Sequence, residues 1–524
     1  MPRIDYVAQT GWENYHASVQ HPVKHHGDYR DGGSTAADGP AAFAESAAVL
    51  HGHIGKAIAL GTSPGVLGAM WSWSDIAGNP ELQLGTAELG AIFAVEAGHL
   101  DGQSTYHPDH CAFVGGGATL AALVTWAEQR DRSIRTCGSY LGQSVAGAMA
   151  TSVNGSALGY GGFQNQICGI HLLVGETSSI WIERASKPAL ADRTALSFAQ
   201  RIIRNDAIFD DCLVHLGAMG IVNGVLFELV DKDLFVAVRL KHRVDASWAK
   251  DLEAGKFDKV AAAMNVTGDI AYYEVQLDPF DPYGKDALHT FYVRKAGPVA
   301  AANPPPPIPT VLDGLAALYN NIEKGGEPEL PRDFFDYYAA TRFQTTPVGG
   351  PKFPQSWGEL HAAQPAGETH QMIYSAALAI DRHRLPDMIA ATSAAMQAML
   401  ASGPVDTRLR HMIYTLRFVS RAAGTMAFTR QDEAVVLDLE GIKFSPASIR
   451  AAAESCAALD GAGIGYCQHW GKSIPGFKQW VDREYGATNA KRPLERWRAT
   501  RKALLDPAAA AIFTNPALLR WGVL

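Results

Sequence analysis

The chain has 524 residues, 47% of them hydrophobic, and a formal net charge of -8. That length accommodates two domains, or one with a large insertion, around an ordinary core. A net negative chain has no basic field for holding a phosphate backbone, which argues against nucleic acid and for a small ligand.

The N-terminus, MPRIDYVAQTGWENYH, carries charges within its first five residues and no apolar stretch of signal-peptide length, so secretion is not expected. Residues 21–40, HPVKHHGDYRDGGSTAADGP, read as a polar, glycine-rich surface segment. Residues 41–60, AAFAESAAVLHGHIGKAIAL, space their apolar positions as a helix that ends at Gly61. Short apolar runs broken by glycine follow (VLGAM, LQLGT, AFVGG), then a helix over ATLAALVTWAEQRD.

From Thr136 to Gly175 the chain contains no Asp, Glu, Lys or Arg, and within that run lies GSYLGQSVAGAMATSVNGSALGYGG, residues 138–162. A membrane span needs about 18 to 20 consecutive apolar residues, and polar interruptions every few positions exclude it here. Small side chains leave backbone amides uncovered, and the hydroxyls with Gln143 and Asn154 can donate or accept without charge. Such a surface suits a neutral heteroaromatic edge plus a diphosphate. A buried Gly/Ser-rich loop is the plainer alternative.

Beyond Gly175, SSIWIERAS alternates as a strand and ALSFAQRIIRND is spaced as a helix. Residues 213–244 read as two strands joined near Asp231. From about 231 to 470 come longer alternating strands (IAYYEVQLD, LHTFYVRKAG, AVVLDLEGI), an Ala/Met-rich helix (MIAATSAAMQAMLA) and a proline tract at 302–310, expected as a semi-rigid surface excursion. The tail, from Lys472 onward, is helical and charged, either peripheral or packed back on the first domain. Six cysteines (Cys111, Cys137, Cys168, Cys212, Cys456, Cys467) form no CxxC pair, and a reducing cytoplasm is the default. His107, His110 and Cys111 lack a fourth ligand at zinc spacing, so no metal is expected.

In collinear order, GAMWSWSDIA (68–77), AFVGGGATLAALVTWAEQR (112–130), GSYLGQSVAGAMATSVNGS (138–156), NQICGIHLLVG (165–175), LGAMGIVNGVLFEL (216–229), QHWGK (468–472) and LDPAAAAIFTNPALL (505–519) carry a resemblance. Together they resemble the FAD flavoproteins of the vanillyl-alcohol oxidase and p-cresol methylhydroxylase (PCMH) type, in the sugar-lactone (gulonolactone, arabinonolactone) and alditol oxidase branch. The resemblance implies an α+β chain. A two-lobed PCMH-type FAD-binding domain spans 1–230, an α+β substrate cap is inserted at 231–474, and a tail at 475–524 returns to the FAD domain.

It further implies FAD contacts along Val66, Leu67, Gly68, Ala69, Met70, Trp71 and Ser72. A second set runs along Ser139, Gln143, Ser144, Val145, Gly147, Ala148, Thr151, Ser152, Asn154 and Gly155, and Ile221 meets the adenine half. Many relatives place a flavin-linking histidine where Trp71 stands. Indole cannot replace imidazole in that bond, so the flavin is expected to be dissociable. Relatives' His-Gly-Ser is Asn154, Gly155 and Ser156 here.

In the cap, the relatives' Glu-x-Arg strand becomes Thr415 and Arg417. A histidine on the next strand falls at Asp438, or at Glu440 if the register slips. His469 and Lys472 match the family motif; the lysine suits charge on reduced flavin and the imidazole a hydroxyl proton.

The leading expectation is therefore a cytoplasmic FAD oxidoreductase that moves a hydride from a CH–OH donor to flavin N5, with oxygen or another compound as electron acceptor. Arg417 and Lys472 would orient and polarise, and His469, Asp438 or Glu440 would take the proton. Two rivals keep the flavin: turnover of a bulky steroid or aromatic alcohol, and a flavin-binding protein that has lost catalysis.

Overall fold

The computed structural model describes every residue except 33, 296–331, 346–353, 362–372, 444, 477–478 and 487. The proline tract at 302–310 lies outside the described residues.

Strands β1 (Arg3–Glu13), β2 (Gln20–Arg30), β3 (Val66–Leu67) and β4 (Leu82–Gly85) form a four-stranded sheet of order β1-β2-β4-β3. The stretch expected as polar surface is thus strand β2 over half its length. Its composition is polar, yet Val23 and Tyr29 point inward, and Tyr29 joins the core with Leu50 and Ile54 of helix α1 (Gly39–Leu60). Helix α1 is bounded as its sequence predicts: the Asp38 side chain accepts the Ala41 N–H, and Gly61 closes it at φ 62°.

A six-stranded sheet contains β5 (Ile92–Ala94), β6 (Cys111–Gly115), β8 (Ile167–Leu173), β9 (Ser179–Glu183), β10 (Arg201–Arg204) and β11 (Ile221–Glu228), in the order β10-β9-β8-β11-β6-β5. The short strands β7 (Arg132–Ser133) and β12 (Val230–Asp231) pair apart from it. Within ALSFAQRIIRND the expected helix is absent. Ile202 and Ile203 instead run parallel to Trp181 and Ile182 of β9, because β-branched residues beside an open strand edge gain more from pairing than from a helical turn. Helix α2 (Leu120–Glu128) precedes the charge-free run and α3 (Val145–Ala150) lies within it, and Thr119 and Ser144 cap them.

The two strands read between 213 and 244 do not pair with each other. The chain leaves the six-stranded sheet at β11 and enters an eight-stranded one at β13 (Leu234–Arg243). The others there are β14 (Asp269–Leu277), β15 (Asp286–Lys295), β16 (Gln355–Ser356), β17 (Ile373–Asp381), β18 (Met412–Ser420), β19 (Glu433–Ile442) and β20 (Tyr466–Gln468), in the order β16-β13-β15-β14-β18-β19-β17-β20. Helices Leu385–Ala401 and Pro446–Gly461 are both present.

The tail returns to the first half of the chain. Trp497 Nε1 donates to the Val214 carbonyl, Arg501 Nε to Ala218, and Asn515 Nδ2 to Ile76. One contiguous core runs from Tyr29 through Tyr273 to Val523. No helix among the described residues is long and apolar enough to cross a membrane.

Burial keeps four histidines neutral: His53 and His215 fall to about 4, His171 and His469 to about 3. The unfolded chain protonates them near pH 6.5, so their contribution is complete above that pH and is lost as pH falls toward 4. Each adds a slope of about 1.4 kcal/mol per pH unit in that window. Urea unfolding should therefore show a midpoint that drops steeply between pH 7 and pH 5. His171→Gln should flatten that dependence by one proton's share, and equal midpoints at both pH values would refute the reading.

Candidate active site

A cavity of about 310 Å³ lies between the first two sheets and one face of the eight-stranded sheet, at the lower end of the usual range for ligand pockets, roughly 300–1,000 Å³. Its floor comes from two short segments. The first follows β3. There Gly68, Ala69, Met70, Trp71 and Ser72 line the cavity, and their backbone N–H groups donate to no backbone carbonyl among the described residues. Adjacent uncovered amides of this kind form a cradle for an anion without any cation.

The second segment is the charge-free run. Ser139, Gln143, Ser144, Gly147, Ala148, Thr151, Asn154 and Gly155 all line the cavity. A Cβ on Gly68 would stand 1.9 Å from Ser144 Oγ, and one on Gly155 would stand 2.4 Å from Thr136 Oγ1. Glycine at 68 lets the two segments approach each other, and glycine at 155 lets the charge-free run fold back on its own start.

Met70 adopts a left-handed conformation at φ 59°, an arrangement costing a non-glycine residue about 1 kcal/mol or more. The N-terminal hairpin holds it there. The Tyr15 N–H donates to the Met70 carbonyl, Asn14 Nδ2 to the Ser72 carbonyl, and Trp12 Nε1 to the Met70 sulfur. Trp71 stacks on Tyr15 with centroids 4.0 Å apart.

Among the described residues, four polar side-chain atoms on the cavity lining are buried without a protein partner: Thr136 Oγ1, Gln143 Oε1, His215 Nε2 and Thr514 Oγ1. Leaving such a group unpaired costs about 1–3 kcal/mol, so this density of orphans marks a place shaped for a polar ligand. The uncharged, amide-rich floor, which extends from Ile221 and Asn515 toward the cap, fits a long, flat, diphosphate-containing cofactor.

The roof carries the charges. Strand register sets Glu274 opposite Arg417, Thr415 opposite Asp438, and Ser375 opposite Glu440. Alternation along the strands turns these side chains to one face. Asp438 Oδ1 accepts from Lys472 Nζ at 2.5 Å. Its Oδ2 lies 3.1 Å from Arg417 Nη1, an ion pair by distance at an angle unsuited to a hydrogen bond. Arg417 also reaches Glu274 (3.5 Å) and donates to Ser139 Oγ on the floor (3.2 Å). Glu440 accepts from Thr415 Oγ1 at 2.9 Å.

These contacts separate the two carboxylates. Burial pushes both upward, but Arg417 and Lys472 outweigh it at Asp438 and hold that group below its ordinary range. At Glu440, burial and the neighbouring Asp438 charge prevail, and its pKa is raised. Burial disfavours the Arg417 charge, yet Asp438 and Glu274 keep it firmly protonated. His469 is pulled to about 3 by burial, with Lys472 adding to it. Its Nδ1 accepts the Gly471 N–H at 3.0 Å, so the neutral ring carries its proton on Nε2.

Of the residues singled out in the sequence, Arg417, Glu440, His469, Lys472 and Ile221 line this cavity, as does the whole stretch from Val66 to Ser72. Three do not. Val145 is fully buried core, and Ser152 Oγ accepts from Gln164 Nε2 and the Phe428 N–H, turned from the cavity. Asp438 stands behind Lys472 and Arg417. Glu274 and Gln276 line the roof unforeseen. The alternation in IAYYEVQLD sets Tyr272, Glu274 and Gln276 on one face, but the pairing of β14 with β18 is what turns that face to the cavity.

No family model matches the sequence, and no curated protein matches it. The architecture is α+β: a body of a four-stranded and a six-stranded sheet, an eight-stranded sheet that follows in the chain, and a tail that returns to the body. Solved structures of that shape include cholesterol oxidase from Brevibacterium sterolicum, with a TM-score of 0.68 at 14% identity over 99% of this chain and 97% of that one. A solvent-stable cholesterol oxidase gives 0.67 at 14% identity, over 99% and 98%. The 6-hydroxy-D-nicotine oxidase of Arthrobacter nicotinovorans gives 0.53 at 15% identity, over 89% and 90%. At such identities the likeness establishes the fold.

Removing one partner from a buried ion pair strands the other charge, typically at about 3–5 kcal/mol. Asp438→Ala should thus lower the unfolding free energy by about that much, and Glu440→Gln by far less. Equal effects in urea melts would show that Asp438 does not anchor the roof.

Proposed function

We propose that the protein is a FAD-dependent oxidoreductase that oxidises a CH–OH carbon of a polyhydroxylated, sugar-lactone or alditol-like small molecule. The observation that carries it is the meeting, in one cavity, of an uncharged amide-lined floor with a roof of alternating charges at Glu274, Arg417, Glu440 and Lys472. The oxidases of like fold support the flavin oxidase chemistry, and the choice of a polyhydroxylated substrate rests on the charged roof alone. Residues 1–230 with the tail at 475–524 would hold FAD, and 231–474 would cover the substrate.

Bound FAD would supply the hydride acceptor, and oxygen or another compound would take the electrons onward. Val66 to Ser72 and Ser139 to Gly155 would bind the cofactor through backbone N–H groups and uncharged side chains. Trp71 leaves no imidazole for a covalent link, so acid precipitation should release the yellow colour into the supernatant.

Charge balance selects the proton acceptor. Glu274, Arg417, Asp438 and Lys472 neutralise one another, which leaves the Glu440 carboxylate without a counter-charge of its own. An uncompensated buried carboxylate has raised basicity, as a general base for an alcohol needs. Glu440 takes the hydroxyl proton while Arg417 and Lys472 orient the substrate oxygen. His469 offers an N–H donor rather than a base.

Anaerobic reduction by a panel of lactones, alditols, steroids and aromatic alcohols tests the reading. Lactones or alditols should bleach the flavin, and Lys472→Met or Glu440→Gln should slow that bleaching at least a hundredfold while leaving FAD content intact. A colourless protein that takes up no FAD would sink the proposal. Bleaching by steroids or aromatic alcohols alone would move the substrate assignment, and bleaching by none would leave a flavin carrier.

A further inference from the structure

Thr415 lies two residues before Arg417, on the same face of β18. It is 1% exposed and does not line the cavity, whereas Glu440 does. Register sets Thr415 between Gln276 on β14 and Asp438 on β19, so its hydroxyl reaches Glu440 diagonally across the strand pair. We propose that Thr415 is a positioning residue for the proton acceptor: its hydroxyl, 2.9 Å from Glu440 Oε2, aims that carboxylate into the cavity. The acid thus comes from β19, and β18 supplies the hydroxyl that orients it.

The surroundings leave Thr415 a distinct task. Asp438, on the same strand as Glu440, opposes its ionisation; Lys472 and Arg417 favour it, but both are already paired with Asp438, Lys472 by a hydrogen bond and Arg417 by charge. Glu274 acts through Arg417, His469 stays neutral, and Ser375, opposite Glu440 on β17, bears no charge. The Thr415 O–H is therefore the side-chain donor that Glu440 has among the described residues. A hydrogen bond donated to a carboxylate favours its ionised form, the form able to accept a proton.

This inference rests on the proposed hydroxyl oxidation with Glu440 as base, and the test separates the two. The pH dependence of anaerobic flavin reduction is measured for wild type, Thr415→Val, Thr415→Ser and Glu440→Gln, with FAD content and thermal midpoint as controls. Thr415→Val should load FAD normally and shift the acid limb of the profile to higher pH. Below the wild-type midpoint it should be roughly ten- to hundredfold slower, the worth of one hydrogen bond to a charged group, and it should converge on wild type at high pH.

Thr415→Ser should restore the wild-type profile. Thr415→Ala should shift it likewise and replaces Thr415→Val if that variant does not fold. A profile for Thr415→Val or Thr415→Ala that superimposes on wild type, or a pH-independent loss that serine does not rescue, overturns the role of Thr415 even where Glu440→Gln is inactive. A fully active Glu440→Gln overturns the underlying assignment of the base instead.

Discussion

The bridge from Lys472 through Asp438 to Arg417 joins three separate stretches of chain: the segment after β20, strand β19 and strand β18. Two cations face the cavity, and the carboxylate that holds them is itself 1% exposed. In water such a triad would contribute little. Buried, it becomes a constraint, because neither cation can swing away without leaving Asp438 uncompensated. Arg417 then carries the constraint outward to Ser139 on the floor and Glu274 on β14, so one charge fixes how roof and floor face each other.

The floor works by the opposite principle. It excludes charge, opens its backbone and relies on close approach at Gly68 and Gly155. The geometry thereby separates two tasks that would conflict if mixed. The floor offers fixed neutral dipoles that do not respond to pH, and in the proposed reaction proton handling would fall to Glu440, the carboxylate whose neighbouring cations are already engaged by Asp438.

This division also explains what the sequence could reveal. The floor is written in two contiguous segments, 66–72 and 139–155, where small residues, hydroxyls and the absence of charge occur side by side; local text was enough. Roof residues come from four strands and a loop across some two hundred positions. Arg417, His469 and Lys472 were legible because motif neighbours flank them. Glu274 was not, since only the pairing of β14 with β18 sets it beside Arg417. The same limit governs the misread elements. Nothing within HPVKHHGDYR announces a strand until β1 and β4 are there to pair with it, and the RIIR segment is a strand because β9 leaves an edge open beside it.

The tail has a consequence of timing. Phe513, Thr514 and Asn515 form part of the cavity wall, and Asn515 is tied to the Ile76 carbonyl more than four hundred residues earlier. While the ribosome is still holding residue 515 in its exit tunnel, the cavity lacks that wall, however completely the first sheets have folded. Closure of the cavity then waits until residue 515 has emerged, and a chain halted before that point would present an open trough.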